Sequence, residues 1–238
     1  MAVEWNKCKI PFHVLPPKSL VTVGEGGPGY WDRYWRGCDD YHKLNTALVD
    51  YTVKYAKPGG LVLDAGSGPG VMGRAFEEKG FRVVDLDYAA VPEGGCIGDV
   101  LDLPFRDETF DVYFSAGMLG YFPVVRLERL FAEADRVTRV GGRLVFSFSF
   151  LCPPLLVMMY DGVFPAVPDG AEVHSQYHDL VEIYRLVKGF DWRVVNVASL
   201  DVSFLVNYNR PYVNVQGPGD VVLTFEKESR DESDAERD

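Results

Sequence analysis

Leu61-Val62-Leu63-Asp64-Ala65-Gly66-Ser67-Gly68-Pro69-Gly70 has the pattern of a short buried strand that ends in an acid and breaks into a turn of alternating glycines. Such glycines let the backbone fold tightly and approach a ligand at the start of a helix. On the downstream side, Val71, Met72, Ala75 and Phe76 repeat at helical spacing, Gly80 closes that helix, and Phe81 to Asp87 read as a second strand. Cys96-Ile97-Gly98 is a short third strand and Phe110 to Ser115 a fourth. Leu127, Leu130, Phe131, Ala134 and Val137 mark an amphipathic helix closed by Gly141-Gly142, and Arg143 to Phe150 a fifth strand. Gln176 to Lys188 is helical, Trp192 to Ala198 a sixth strand and Val221 to Phe225 a seventh. Upstream, Asp39 or Asp40 can cap a helix running to about Ala56, with Lys57-Pro58-Gly59-Gly60 as its stop. Strands that alternate with helices imply a parallel sheet.

The 238-residue length suits one α/β domain with decorations, and 47% apolar with 25% charged residues is ordinary for a globular chain. No run of 18 apolar residues offers a membrane span, and Met1 to Lys7 lack the layout of a signal peptide, so a cytoplasmic location is expected. The net charge is −11. Glu226 to Asp238 contribute −4, and the body still carries −7 with its basic residues scattered, which disfavours a nucleic-acid partner. Cys8, Cys38, Cys96 and Cys152 form no CxxC pair, so neither a metal site nor a disulfide framework is expected.

Two cofactor classes use a glycine turn of this kind. Dinucleotide sites want GxGxxG, but the third glycine position here is Val71, and Pro69 lacks an N–H for a pyrophosphate. Asp64-x-Gly66-x-Gly68-x-Gly70 instead resembles the first motif of class I S-adenosylmethionine (SAM) dependent methyltransferases. Further motifs follow in order. Phe81-Arg82-Val83-Val84-Asp85-Leu86-Asp87 is similar to the family's second strand with its terminal acid, and Gly98-Asp99-Val100-Leu101-Asp102-Leu103-Pro104-Phe105 resembles its "GD…DLPF" stretch. Phe110-Asp111-Val112 and Arg139-Val140-Gly141-Gly142-Arg143-Leu144 resemble its next strand and its "PGGRL" turn. The resemblance covers about residues 40–226 and is nearest to the small-molecule and quinone-type branch often labelled type 11.

That resemblance implies a Rossmann-like α/β fold: a seven-stranded, mostly parallel sheet with helices on both faces and a final antiparallel strand. It implies SAM as cofactor. Asp64 would lie near the methionine ammonium, and Gly66, Ser67, Gly68 and Gly70 would let the ligand rest on bare backbone. The ribose diol calls for a carboxylate at the end of the second strand. Asp87 fills that position, while Asp85 stands where glycine is common and is expected to be a surface acid. Tyr88 would flank the adenine, with Asp99 accepting from its amino group and the Val100 N–H serving the ring. Ser115 and Ala116 would offer carbonyls toward the sulfonium. Twelve residues between Asp87 and Asp99 leave no room for a full helix. Asp111, at the start of a core strand, is expected to cap a neighbouring turn.

His174 and His178 are spaced i, i+4 and are candidates for a base that deprotonates the acceptor, with His178 preferred for its neighbour Asp179; helix-cap or surface roles are the alternative. Leu151-Cys152-Pro153-Pro154-Leu155 lacks the polar residue and the aromatic of the "PPY" motif of amino-group methyltransferases. The apolar run Leu155 to Tyr160 and the aromatic cluster Tyr30 to Trp35 are either core staples or covers over a ligand. The expected organisation is an N-terminal arm (1–38), a methyltransferase domain (39–226) with a substrate cap (151–175), and an acidic disordered tail (227–238). The expected function is methyl transfer from SAM to a small, partly apolar acceptor. A protein or RNA methyltransferase and a non-catalytic SAM-binding protein are the rivals. The oligomeric state is not legible.

Overall fold

The computed structural model describes residues 29, 31, 46–89, 94–122, 124–149, 180–206 and 213–229. Seven strands form one sheet: β1 (Leu61–Ala65), β2 (Arg82–Asp87), β3 (Cys96–Ile97), β4 (Phe110–Ala116), β5 (Thr138–Ser149), β6 (Trp192–Val206) and β7 (Val213–Lys227). Their order is β3-β2-β1-β4-β5-β7-β6. The first five strands run parallel, while β7 is antiparallel to both β5 and β6. This is the mostly parallel sheet with a final antiparallel strand that the motifs imply.

Alternation along β1 sorts the core into two layers. Val62 faces α1 (Ala47–Thr52) and α2 (Val71–Glu78), packing with Leu48, Val49, Ala75 and Phe76. Leu63 and Ala65 face the opposite layer, built on Leu127, Leu130, Phe131 and Ala134 of α3 (Val124–Val137) and Ile183 and Val187 of α4 (Leu180–Val187). Helices thus cover both faces. On the α3 side Phe131, Phe146, Trp192 and Phe225 form a continuous aromatic cluster, with Phe146 and Trp192 stacked and Phe131 edge-on to both. The Trp192 Nε1 is satisfied by Asp135 Oδ1 at 2.7 Å, as a mostly buried indole requires.

Several elements differ from the sequence expectation. The helix expected from Asp39 or Asp40 is described only from Ala47 to Thr52, and both aspartates lie outside the described residues. Helix α3 is not closed by Gly141-Gly142. It ends at Val137, and β5 starts at once with Thr138 pairing Phe110 across a bulge. The glycines lie inside the strand: Gly141 adopts a left-handed φ of 75°, and at Gly142 a Cβ would sit 2.7 Å from the Arg139 carbonyl oxygen. Strands β6 and β7 are far longer than their apolar cores suggest. Past Ser199 and Asp220, among the described residues, they pair with each other, through a bulge at Ser199/Asp201, so polar and glycine-rich sequence there still forms a ladder. Lys227 belongs to β7, one residue beyond the expected tail boundary; 230–238 lie outside the described residues.

Helix α3 also clamps the loop that follows β3. Buried Glu133 accepts the Leu103 N–H at 2.7 Å, and Arg129 Nε donates to the Leu101 carbonyl at 2.8 Å. Arg136 donates to the carbonyls of Leu103 and Phe105 and to the carboxylates of Glu133 and Asp107. The guanidinium of Arg136 holds the Glu133 carboxyl below the usual glutamate range. Arg136→Ala should lower unfolding free energy by about 2–3 kcal/mol, because it strands a buried carboxylate and two carbonyls. A depressed folded-state pKa stabilises fully above the unfolded value, about 4.3, and the benefit is lost as pH falls through the folded value. The gap between wild type and variant in urea unfolding should therefore be largest near neutrality and shrink on acidification below about pH 4.3.

Candidate functional site

At the C-terminal edge of the sheet, β1 ends in a turn that only glycine geometry permits. Gly66, Gly68 and Gly70 have φ of 80°, 50° and 70°, and Gly70 is the N-cap of α2. The Gly66 and Ser67 N–H groups both donate to the Leu86 carbonyl of β2, at 2.8 and 3.0 Å, and Gly70 N–H donates to Ser67 O at 2.9 Å. The thioether of Met118 lies against the turn, and a Cβ on Gly66 would come within 2.8 Å of its sulfur.

Asp87, the last residue of β2, is buried. Its Oδ2 accepts the Gly68 N–H at 2.8 Å and its Oδ1 the Ala89 N–H at 3.0 Å. Burial raises its pKa, opposed by the backbone N–H groups of Ala89, Gly68 and Tyr88. One carboxylate therefore holds both the glycine turn and the exit from β2. Tyr88, next in sequence, is exposed. The Gly98 N–H donates to the Asp87 carbonyl at 2.9 Å, which ties the segment after β3 to the end of β2. Beyond it Asp99 Oδ1 accepts the Leu101 N–H at 2.9 Å, an Asx turn that fixes the backbone around buried Val100. Ser115 is buried and Ala116 half-buried where β4 ends beside Phe146 and Ser147 of β5. Gly117 N–H donates to the Ser147 carbonyl at 2.9 Å.

Asp64, Gly66, Ser67, Gly68, Gly70, Asp87, Tyr88, Asp99, Val100, Ser115 and Ala116 thus all lie at one edge, where neighbouring parallel strands end. Open α/β sheets bind ligands at that edge. His174, His178 and the 151–175 cap lie outside the described residues, as does the N-terminal arm apart from Gly29 and Trp31. The Trp31 ring meets Tyr121 edge-on at 4.8 Å, against the 3-10 turn Leu119–Tyr121 that follows β4. Asp111 does cap a neighbour: its Oδ2 accepts the Leu61 N–H at 2.8 Å, and Arg139 pairs with it at 3.0 Å.

Asp85 corrects the sequence expectation. It is not a surface acid but the register partner of Asp64 across β1 and β2, with a buried, donor-less Oδ1. The expectation failed because a strand-end acid looks the same in sequence whether its face is covered or not. Its face is covered by α2, at a helix position kept open by Gly73, whose Cβ would lie 2.3 Å from Asp85 Oδ1. A glycine three residues into an amphipathic helix was the available signal. Asp64 is buried, Oδ2 has no donor, and Ser67 Oγ is likewise unpartnered. Burial first, and the Asp85 charge second, push the Asp64 carboxyl well above the usual aspartate range.

The model of a family described as "Methyltransferase domain" matches residues 63–146. Residues 63–146 are a methyltransferase domain. A demethylmenaquinone methyltransferase of Thermobifida fusca is 38% identical over 137 residues, which is 50% of this chain and 52% of the relative. The chain thus matches about half the length of that relative. The methyltransferase domain and its flanks share their fold with the PH0226 protein of Pyrococcus horikoshii (TM-score 0.62, 19% identity, 82% of this chain and 99% of that one). They share it too with the 1,6-didemethyltoxoflavin-N1-methyltransferase of Burkholderia thailandensis, whose structure holds 1,6-didemethyltoxoflavin and S-adenosylhomocysteine (TM-score 0.58, 18% identity, 84% of each chain).

Within the methyltransferase domain, Gly73→Ala should destabilise the fold by about 1–3 kcal/mol through overpacking against Asp85, outweighing the roughly 1 kcal/mol helix-propensity gain of alanine over glycine. Adding Asp85→Ala should restore most of the loss in a thermal or urea melt, because the clashing carboxylate is gone.

Proposed function

We propose that this chain transfers a methyl group from SAM to a small, partly apolar acceptor. The observation that carries the reading is the buried, donor-less Asp64 Oδ2 beside three left-handed glycines at the binding edge of a methyltransferase domain. A SAM ammonium brings the donors that this carboxyl lacks, so the residues present fit the cofactor. The Gly66–Gly70 turn admits the ligand to bare backbone. Asp87 would take the ribose diol on lone pairs not used by Gly68 and Ala89, and Tyr88 would flank the adenine. Asp99 and the Val100 N–H would meet the adenine edge, and the carbonyls of Ser115 and Ala116 would face the sulfonium side. SAM supplies an already activated methyl group. The chain's own part is then alignment and exclusion of water.

His178, with His174 as the second candidate, is our choice for a base should the acceptor need to lose a proton. The arm 1–38 and the cap 151–175 would close over the acceptor; the Trp31–Tyr121 contact supports a cover on that side of the site. The net charge of −11 favours a small molecule over a nucleic acid. Among the described residues no helix is long and apolar enough to cross a membrane, and we place the reaction in the cytoplasm. The Thermobifida fusca relative is named for demethylmenaquinone, so a demethylated hydroquinone with a prenyl tail is the first acceptor to assay.

The test pairs calorimetry on S-adenosylhomocysteine with transfer of labelled methyl from SAM to such acceptors. Binding and transfer support the proposal. Binding with no transfer to any acceptor would point to a cofactor sensor, and no binding at all would end it. Asp87→Ala should weaken S-adenosylhomocysteine binding at least tenfold while the far-UV spectrum stays native. Each hydrogen bond to a charged acceptor is worth about 1.5–3 kcal/mol, and about 1.4 kcal/mol is a decade in affinity. If His178 is the base, His178→Ala should bind S-adenosylhomocysteine normally and lose about a hundredfold or more in rate.

A further inference from the structure

Two carboxyl groups lie side by side under the glycine turn. Asp64 and Asp85 are Cα partners in the parallel β1–β2 register, so their side chains leave the same face of neighbouring strands, which run roughly 4.8 Å apart. That face is covered by α2. Asp64 is buried, and its Oδ2 has no donor; Asp85 Oδ1 is also buried without one. Two ionised carboxylates cannot share such a place without a donor between them, whereas a carboxyl and a carboxylate satisfy each other with one proton.

The surroundings fix which group carries it. Asp64 is faced by Asp85 and Asp87 from β2 and by the Gly73 N–H from α2. From β4 its register partner is the uncharged Phe114. Asp85 is faced by Arg74 and Glu77 from α2 and by Asp64 from β1. Asp87 already accepts the N–H groups of Gly68 and Ala89. At Asp85 burial and the Glu77 charge raise the pKa of the carboxyl, and Arg74 only partly opposes them. The proton sits on Asp64 because Asp64 is buried while Asp85 is half-buried, nearer the solvent that favours its charged form. The pairing is built into the fold, because α2 carries glycine at position 73, where a Cβ would stand 2.3 Å from Asp85 Oδ1.

We propose that Asp85 is a positioning residue of the cofactor site: it shares one proton with Asp64 in the free protein, and that proton leaves for solvent when the ligand's ammonium group docks on Asp64. The inference rests on the cofactor reading above and deepens it. An ammonium group brings three donors with its own positive charge, so it replaces the proton as the element that lets two carboxylates coexist. Ligand binding then has a proton as its second product. Binding tightens as pH rises toward the point where the free pair gives up its proton unaided, and it levels beyond.

The experiment is calorimetric titration of the full chain with S-adenosylhomocysteine between about pH 5 and pH 7, below the range where an α-amino group titrates. Each titration is run in two buffers of unequal ionisation enthalpy, so that proton release is counted directly. Wild type should release protons, and its affinity should climb with pH by up to tenfold per unit at the acid end. Asp85→Asn removes the charge that holds the proton on Asp64, so release and slope should both fall; Asp85→Ser serves if the amide variant does not fold. A merely structural role for Asp85 would move affinity without moving the proton count. Binding by wild type with no proton release overturns this inference and leaves the cofactor reading standing, as does an equal count in wild type and variant. No binding by wild type at any pH overturns both.

Discussion

The carboxylate of Asp87 and the carbonyl of Leu86 are what the site depends on. Between them these neighbouring groups at the end of β2 take the N–H groups of Gly66, Ser67 and Gly68. A turn of three left-handed glycines is otherwise costly to order, since glycine loses the most conformational freedom on folding. Pinning three successive N–H groups converts that floppy stretch into a fixed surface. It also fixes where α2 begins, because Gly70 is both the end of the turn and the helix N-cap. The β1–β2 register, the position of α2 and the shape of the cofactor surface are thus one constraint met by two residues.

The same economy recurs around the sheet edge. Asp111 holds the start of β1 through the Leu61 N–H, Asp99 holds its own Asx turn, and Glu133 holds the loop above α3 through the Leu103 N–H. In each case a carboxylate accepts backbone N–H groups that lie outside any ladder, the strong, charge-assisted form of such bonds. Carboxylates act here as fasteners, and among the buried carboxylate oxygens of the described residues those without a donor are Asp64 Oδ2 and Asp85 Oδ1.

Much of this was legible in the sequence because it is local. The glycine spacing, the strand–turn–helix order and the strand-end acids are written within windows of ten residues. The mostly parallel sheet and the edge position of Asp64, Asp87, Asp99 and Ser115 followed from them, and the antiparallel last strand from the family resemblance they carry; the strand order did not. What escaped depends on facing partners far apart in the chain. Asp85 looked like a surface acid because nothing near it in sequence announces Gly73. Nothing local in the sequence singles out Glu133 and Arg136, whose partner is the loop at 103–107. The long β6–β7 ladder was missed because two strands that satisfy each other's backbone need no apolar alternation. Gly141-Gly142 misled because the same pair that stops helices also fits a strand in which Gly141 takes a left-handed φ of 75° and Gly142 has no space for a side chain.

The sheet order also has a consequence in time. Strand β7, from the end of the described chain, lies between β5 and β6, so on a ribosome β5 waits for a partner still to be made. Ser149 pairs with Asp220, and at about 5–20 residues per second the intervening chain takes roughly 4–14 s to synthesise. Through that interval Leu144 and Phe146 lack the cover of Phe225, and one rim of the nascent sheet has open hydrogen-bonding groups. A ribosomal pause after β5 prolongs this vulnerable stage, whereas one before β4 leaves it untouched, so synonymous codon choice between 150 and 220 bears on yield more heavily than the same choice upstream.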